Sequence, residues 1–96
     1  MRNIILAMLA TVVTVHAADN EDVKRKAVTC AACHGTSGVS VNDLWPNLAG
    51  QKTGYIQKQL KAFRDGTRVD PLMSPVARML TEEDVQQLAA YFAGLK

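Results

Sequence analysis

Apolar residues recur at three- and four-residue intervals in three stretches of the chain, a spacing that places them on one face of an α-helix. The three sets are Val23, Ala27 and Cys30; Ile56, Leu60 and Phe63; and Val85, Leu88, Ala89 and Phe92. Gly66 follows the second set and is expected to end that helix in a left-handed conformation. Thr81 precedes the third set and is the expected N-cap of the last helix.

The segments between these patterns are rich in Gly, Pro and Asn, and none alternates polar and apolar residues for long enough to predict a β-strand. They cover residues 35–54 and 65–75. In so short a chain, two loops of this length are expected to surround something. The pattern predicts a single all-α domain of three or more helices, without internal repeats.

A different pattern occupies the N-terminus, where Arg2 precedes an apolar run from Ile4 to Val15. The run ends in a small-x-small sequence at residues 15–17, as in secretory signal peptides. The alternative is an uncleaved anchor, but a spanning helix needs about 20 apolar residues.

We therefore expect residues 1–17 to be a cleaved signal peptide and residues 18–96 to form the mature domain. Cleavage after Ala17 and cleavage after Ala18 are both compatible with the sequence. The expected location is the periplasm.

Composition narrows the function further. The 96 residues include 11 Lys+Arg and 9 Asp+Glu, a net charge of +2 that gives no reason to expect nucleic-acid binding. The 48% hydrophobic content argues against disorder, although part of it lies in the leader. Five aromatic residues are few for a core, and domains this small usually need a disulfide framework, a metal or another large buried group. Two cysteines are too few for such a framework.

Cys30 to His34 spell C-A-A-C-H, the pattern for covalent haem attachment. Two thiols on one turn can add to the two vinyl groups at one edge of the porphyrin. The histidine that follows them is then carried beneath the ring, where its imidazole can reach the iron.

Three other uses of the two cysteines compete with haem attachment. A thioredoxin-like pair would need a βαβ context that the sequence does not predict, and a disulfide closing so small a loop would stabilise little. A structural zinc site needs four Cys or His ligands, and the mature chain offers three. Haem is favoured, also because c-type attachment takes place outside the cytoplasm.

After removal of the leader, His34 is the only histidine, so the second axial ligand is a methionine, a lysine or none. Met73 lies between Pro71 and Pro75, which are expected to hold it in a stiff extended loop outside any helix. Met79, just before the cap of the last helix, is expected to fill the core or to pack as a staple against that helix. Met73 is thus the expected distal ligand, with Met79 and an open position as alternatives.

A thioether is a weak donor that favours ferrous iron. Iron with six ligands in both oxidation states has no open position for oxygen or peroxide. The expected function is therefore one-electron transfer without a catalytic residue. The alternative is a haem enzyme or gas sensor with an open distal position.

Four motifs in this order resemble the class I cytochromes c, in particular the small bacterial monohaem proteins and one half of the dihaem proteins. The motifs are C-A-A-C-H-G at 30–35, W-P-N-L-A-G-Q at 45–51, M-S-P-V-A at 73–77 and L-T-E-E-D-V-Q-Q-L-A-A-Y-F at 80–92. Together they extend over essentially the whole mature chain.

The resemblance implies helices wrapped around one covalently bound haem c. Cys30 and Cys33 would form the thioether links, His34 would be the proximal ligand and Met73 the distal ligand. The backbone carbonyl of Pro46 would accept the second ring N–H of the proximal histidine.

The resemblance also implies that the first helix crosses the last. The crossing would bring Val23 and Ala27 against Leu88, Tyr91 and Phe92. Relatives often carry glycine at this crossing, whereas residues 19–34 contain none. Ala27 is the expected substitute.

The expected partners are redox proteins, soluble or membrane-bound, that donate or accept electrons. Neither nucleic acid nor a small-molecule substrate is expected, and the protein is expected to be a monomer. Two basic groups form either a docking patch or ordinary solvated helix faces. They are Lys24, Arg25 and Lys26, and Lys58, Lys61 and Arg64.

Overall fold

The computed structural model describes residues 2–11 and 20–96. Within these ranges it contains four α-helices and no β-strand, which confirms the all-α prediction. The helices are α1 (Asn20–His34), α2 (Thr53–Asp65), α3 (Met73–Arg78) and α4 (Glu82–Gly94).

The N-terminal part of the expected signal peptide, residues 2–11, contains no helix. Residues 1 and 12–19, which include the expected cleavage site, lie outside the described residues. Among the helices of the described ranges, none is long and apolar enough to cross a membrane.

Helix α4 begins where the sequence predicts. The side-chain oxygen of Thr81 accepts the backbone N–H of Asp84, and the Asp84 carboxylate accepts the backbone N–H of Thr81, each at 3.0 Å. These reciprocal bonds satisfy two donors that the first turn of a helix leaves unpaired. Three acidic residues in that turn also interact favourably with the helix dipole.

Helix α2 ends at Gly66 as predicted, with φ of +84° and its N–H donating to Ala62 O at 3.0 Å. The prediction that the two prolines keep Met73 out of a helix is wrong. Met73 is the first residue of α3, and Pro75 lies in the first turn of that helix. A proline is tolerated there because the first-turn N–H groups have no partner within the helix.

The core forms where α4 packs against α1 and α2, while α3 packs against α2. Its main cluster contains the side chains expected at the crossing of the first and last helices. These buried residues are Val23, Ala27, Ile56, Leu88, Ala89 and Phe92, and Tyr91 packs against them partly buried. Ala27 is 4% exposed, so a methyl side chain occupies the crossing position without a glycine.

The prediction that Met79 fills the core or packs as a staple against the last helix is also wrong, because its side chain is 82% exposed. Met79 follows the last turn of α3, and its N–H donates to Val76 O at 3.1 Å. The next residue, Leu80, packs against the core cluster instead. In the position before the N-cap Thr81, Leu80 takes the place where an apolar residue commonly anchors the start of a helix.

An ion pair joins α1 to α4 at the helix cap. Lys26 Nζ lies 2.7 Å from the Asp84 carboxylate, whose side chain is only 16% exposed. The Lys26 ammonium and the backbone N–H of Thr81 lower the pKa of Asp84 below its ordinary value of 3.8. The charged carboxylate therefore stabilises the folded state.

We expect this contribution to give the protein a pH-dependent stability. Because the folded-state pKa is depressed, the contribution is complete above the ordinary pKa and is lost as the pH falls through the folded-state pKa. Asp84→Asn should therefore lose less unfolding free energy than wild type between pH 7 and acidic pH, as measured by urea titration of the haem-loaded protein. Equal losses in both proteins would contradict the assignment.

Candidate functional site

Cys30 and Cys33 lie one helical turn apart near the end of α1, on the same face of the helix, and both are half-buried free thiols. Cys30 packs against the core cluster, and burial raises the pKa of its thiol. A thiol–disulfide catalyst works with a lowered cysteine pKa. The environment of Cys30 therefore disfavours the thioredoxin-like interpretation.

His34 is the last residue of α1 and is 7% exposed. Its Nδ1 lies 2.7 Å from the carbonyl oxygen of Pro46. Because a carbonyl can only accept, Nδ1 carries the hydrogen, and Nε2 of the neutral ring is left with a free lone pair. The contact that the resemblance implies is thus present, and it leaves Nε2 free to act as a metal ligand.

The chain reverses direction immediately after His34 to bring Pro46 back to it. Gly35 has a φ of +89°, a backbone conformation that residues other than glycine rarely adopt. Further along, the carbonyl of Gly38 accepts the N–H groups of Leu48 and Ala49 at 2.8 and 2.9 Å. These bonds close the loop behind Pro46.

Two polar residues that the sequence reasoning missed hold the same loop. The backbone N–H of Ser40 donates to the side-chain oxygen of Asn47 at 2.7 Å. The hydroxyl of Ser40 donates to the Cys33 carbonyl at 3.4 Å. The position of Asn47 beside Pro46 in the W-P-N motif was the available signal, since Asn commonly bonds to nearby backbone in loops.

Met73 is half-buried at the start of α3, on an element separate from the one that carries His34. The carboxylate of Asp70 accepts the backbone N–H groups of Met73 and Leu72, each at 2.8 Å. These bonds lower the pKa of Asp70. Asp70 is the second feature that the sequence reasoning missed, although an acid just before a helical turn is typical of a cap.

The loop that follows His34 and the loop that precedes Met73 expose large apolar side chains. Val41 and Leu44 in residues 35–52 are 104% and 85% exposed, and Val69 in residues 66–72 is 80% exposed. Together with an imidazole, a thioether and two adjacent thiols, such side chains fit a large apolar group that is held covalently and carries iron.

Comparison with known proteins identifies a family whose members carry such a group. The model of the cytochrome c family matches residues 21–96. Cytochrome c-554(548) of Halomonas halodenitrificans is 44% identical to the chain over 80 residues, which cover 80% of the chain and 93% of that relative. The thiosulfate dehydrogenase electron acceptor of Stutzerimonas stutzeri is 44% identical over 75 residues, covering 75% of the chain and 35% of that relative.

Among solved structures, cytochrome c4 of Acidithiobacillus ferrooxidans superimposes with a TM-score of 0.68 at 35% identity. The match covers 76% of this chain and 50% of the cytochrome c4 chain. The chain therefore spans nearly all of the first relative, about a third of the second and half of this cytochrome c4.

We expect Gly35→Ala to disrupt the site much more than Gly66→Ala. Both glycines have positive φ, but a Cβ at Gly35 would lie 2.0 Å from Val39 O, whereas a Cβ at Gly66 would meet nothing within 4 Å. Gly66→Ala should cost about 1–2 kcal/mol for backbone strain, and Gly35→Ala should cost clearly more. Urea unfolding of the two haem-loaded variants measures this difference, and equal costs would contradict the close approach at Gly35.

Proposed function

The chain belongs to the cytochrome c family, and we propose that residues 18–96 form its mature domain, a one-electron carrier with His34 and Met73 as axial iron ligands. Membership of the family implies a covalently bound haem c, and Cys30-Ala31-Ala32-Cys33-His34 fits its attachment motif. The proposed thioether links are to Cys30 and Cys33. The observation that carries the proposal is the 2.7 Å contact between His34 Nδ1 and Pro46 O.

Each residue of the proposed site has a distinct task. Haem c supplies a one-electron couple between ferric and ferrous iron. Cys30 and Cys33 retain the group covalently, while Pro46 orients the His34 ring and makes Nε2 the available donor. Because the loop behind Pro46 is closed by hydrogen bonds, Pro46 O would hold the His34 ring in one orientation toward the bound group.

The environments of the two methionines support Met73 as the distal ligand. Met73 is half-buried, and its backbone N–H is held by Asp70. Met79 is 82% exposed and lies beyond the end of α3. Its exposure leaves it less suited to a site that must exclude water.

The related proteins are electron-transfer cytochromes, which suggests that the chain itself is not an enzyme. We propose that its partners are redox proteins that donate and accept single electrons. The named function of the Stutzerimonas stutzeri relative, an electron acceptor for thiosulfate dehydrogenase, illustrates such an exchange.

The basic side chains give little support for a specific docking patch. Lys24, Arg25 and Lys26 pair with Glu21, Asp22 and Asp84, respectively. Lys61 and Arg64 both pair with Glu82. Because these cations are paired with acids of the same chain, they support the interpretation of ordinary helix faces. The exposed pairs, unlike Lys26–Asp84, contribute little to stability.

We also propose export to the periplasm with removal of residues 1–17. The basic residue, apolar run and small-x-small sequence support this proposal. Mass spectrometry of the protein isolated from a periplasmic extract would place the N-terminus at Ala18 or Asp19. An intact Met1 on the mature haem protein would contradict it.

Met73→Ala should remove the sulfur–iron charge-transfer band of the ferric protein, lower the midpoint potential and allow the ferrous protein to bind carbon monoxide. The thioether favours ferrous iron and occupies the position that carbon monoxide would take. Absorption spectroscopy and potentiometric titration measure these three changes.

Met79→Ala is the matched control. Because Met79 is exposed, this variant should keep the wild-type spectrum and potential, and its unfolding free energy should lie within about 0.5 kcal/mol of wild type. Loss of the band in Met79→Ala instead of Met73→Ala would reverse the ligand assignment. Ready carbon monoxide binding by the wild-type protein would favour the enzyme or sensor alternative.

A further inference from the structure

We propose that Asp70 and Ser74 act as positioning residues for Met73, fixing its backbone so that its thioether holds the iron against competing ligands. The inference rests on the proposed role of Met73 as the distal ligand. The two residues form what we call the Asp70–Ser74 cap, which encloses Met73 in four hydrogen bonds.

The four bonds run in both directions across the turn. The carboxylate of Asp70 accepts the N–H groups of Leu72 and Met73 at 2.8 Å each. The N–H of Asp70 donates to Ser74 Oγ at 2.9 Å, and the N–H of Ser74 donates to Asp70 O at 3.0 Å. Ser74 is 4% exposed, so its hydroxyl is buried with the bond that it makes.

Helix α3 cannot fix the position of Met73 by itself. It has six residues, and an isolated helix of that length is unstable in water. Its N-cap residue, Leu72, makes no side-chain cap bond, and Pro75 has no N–H to donate. The Asp70 carboxylate therefore supplies the acceptor that the first turn otherwise lacks.

Fixing the backbone has a direct consequence for the metal bond. A thioether is a weak ligand. The stability of its bond to iron therefore depends on how well the backbone that carries it is ordered before the bond forms. If the cap is removed, residues 70–74 gain conformational freedom, and the entropy lost on ligation increases. An external ligand then competes more effectively for the same coordination position.

The probe is imidazole, titrated into the ferric haem-loaded protein. Asp70→Ala should raise the apparent imidazole affinity by about tenfold or more, as expected when charge-assisted hydrogen bonds are lost. The same variant should have a lower midpoint potential. Ser74→Ala, which removes one bond, should shift both quantities in the same direction by less.

Asp70→Asn separates hydrogen bonding from charge, because the amide oxygen can still accept both N–H groups. Because its hydrogen bonds are retained but no longer charge-assisted, this variant should show an imidazole affinity between those of wild type and Asp70→Ala. If Asp70→Asn changes the affinity as much as Asp70→Ala, the carboxylate acts through its charge and the positioning role is wrong.

Thr81→Ala is the control for a general loss of stability. It removes a comparable cap bond at the start of α4, should lower the unfolding free energy by about 1 kcal/mol and should leave imidazole affinity unchanged. An unchanged affinity in Asp70→Ala, or equal increases in Asp70→Ala and Thr81→Ala, would overturn the inference.

Met73→Ala, measured in parallel, distinguishes this failure from failure of the proposed function. If Met73→Ala keeps the wild-type spectrum, Met73 is not the ligand and the proposed ligation is wrong. If Met73→Ala loses the charge-transfer band while Asp70→Ala behaves as wild type, only the positioning role is wrong.

Discussion

A carbonyl oxygen can only accept a hydrogen bond, so the position of Pro46 O, 2.7 Å from His34 Nδ1, decides which ring nitrogen of His34 carries the proton. That choice leaves Nε2 free to act as a metal donor and restrains the plane of the ring. The reversal at Gly35 and the closure of the loop at Gly38 both serve to bring Pro46 to this point. The arrangement of the proximal side thus follows from one contact between the end of a helix and the loop that returns to it.

The segment that carries Met73, the proposed distal ligand, is also held by hydrogen bonds, but from a side chain. On the proximal side a loop carbonyl constrains a side chain, whereas on the distal side the Asp70 carboxylate constrains the backbone of Met73. His34 and Met73 both lie at helix ends, where the helix itself leaves backbone groups without partners. Acceptors outside those helices supply additional bonds there: the Pro46 carbonyl accepts from the His34 ring, and the Asp70 carboxylate accepts from the Met73 backbone.

Helix α4 connects the two sides, because α1, with His34 at its end, and α2, which supports α3, both pack on it. The ion pair of Lys26 with Asp84 and the cap of Thr81 by Asp84 place one carboxylate at the junction of α1 and α4. Ala27 of α1 is buried in the same cluster as Leu88, Ala89 and Phe92 of α4. A small all-α domain can in this way hold two ligand-bearing segments in place with few aromatic residues.

Sequence alone determined the helices with strong apolar periodicity, the cap at Thr81, the stop at Gly66 and the attachment motif. Each of these depends on residues that are close together along the chain, and the structure agrees with the helical elements. The helix at Met73 and the exposure of Met79 were decided by tertiary structure. Six residues with a proline carry no periodic signal, and they become helical because Asp70 caps them and α2 supports them.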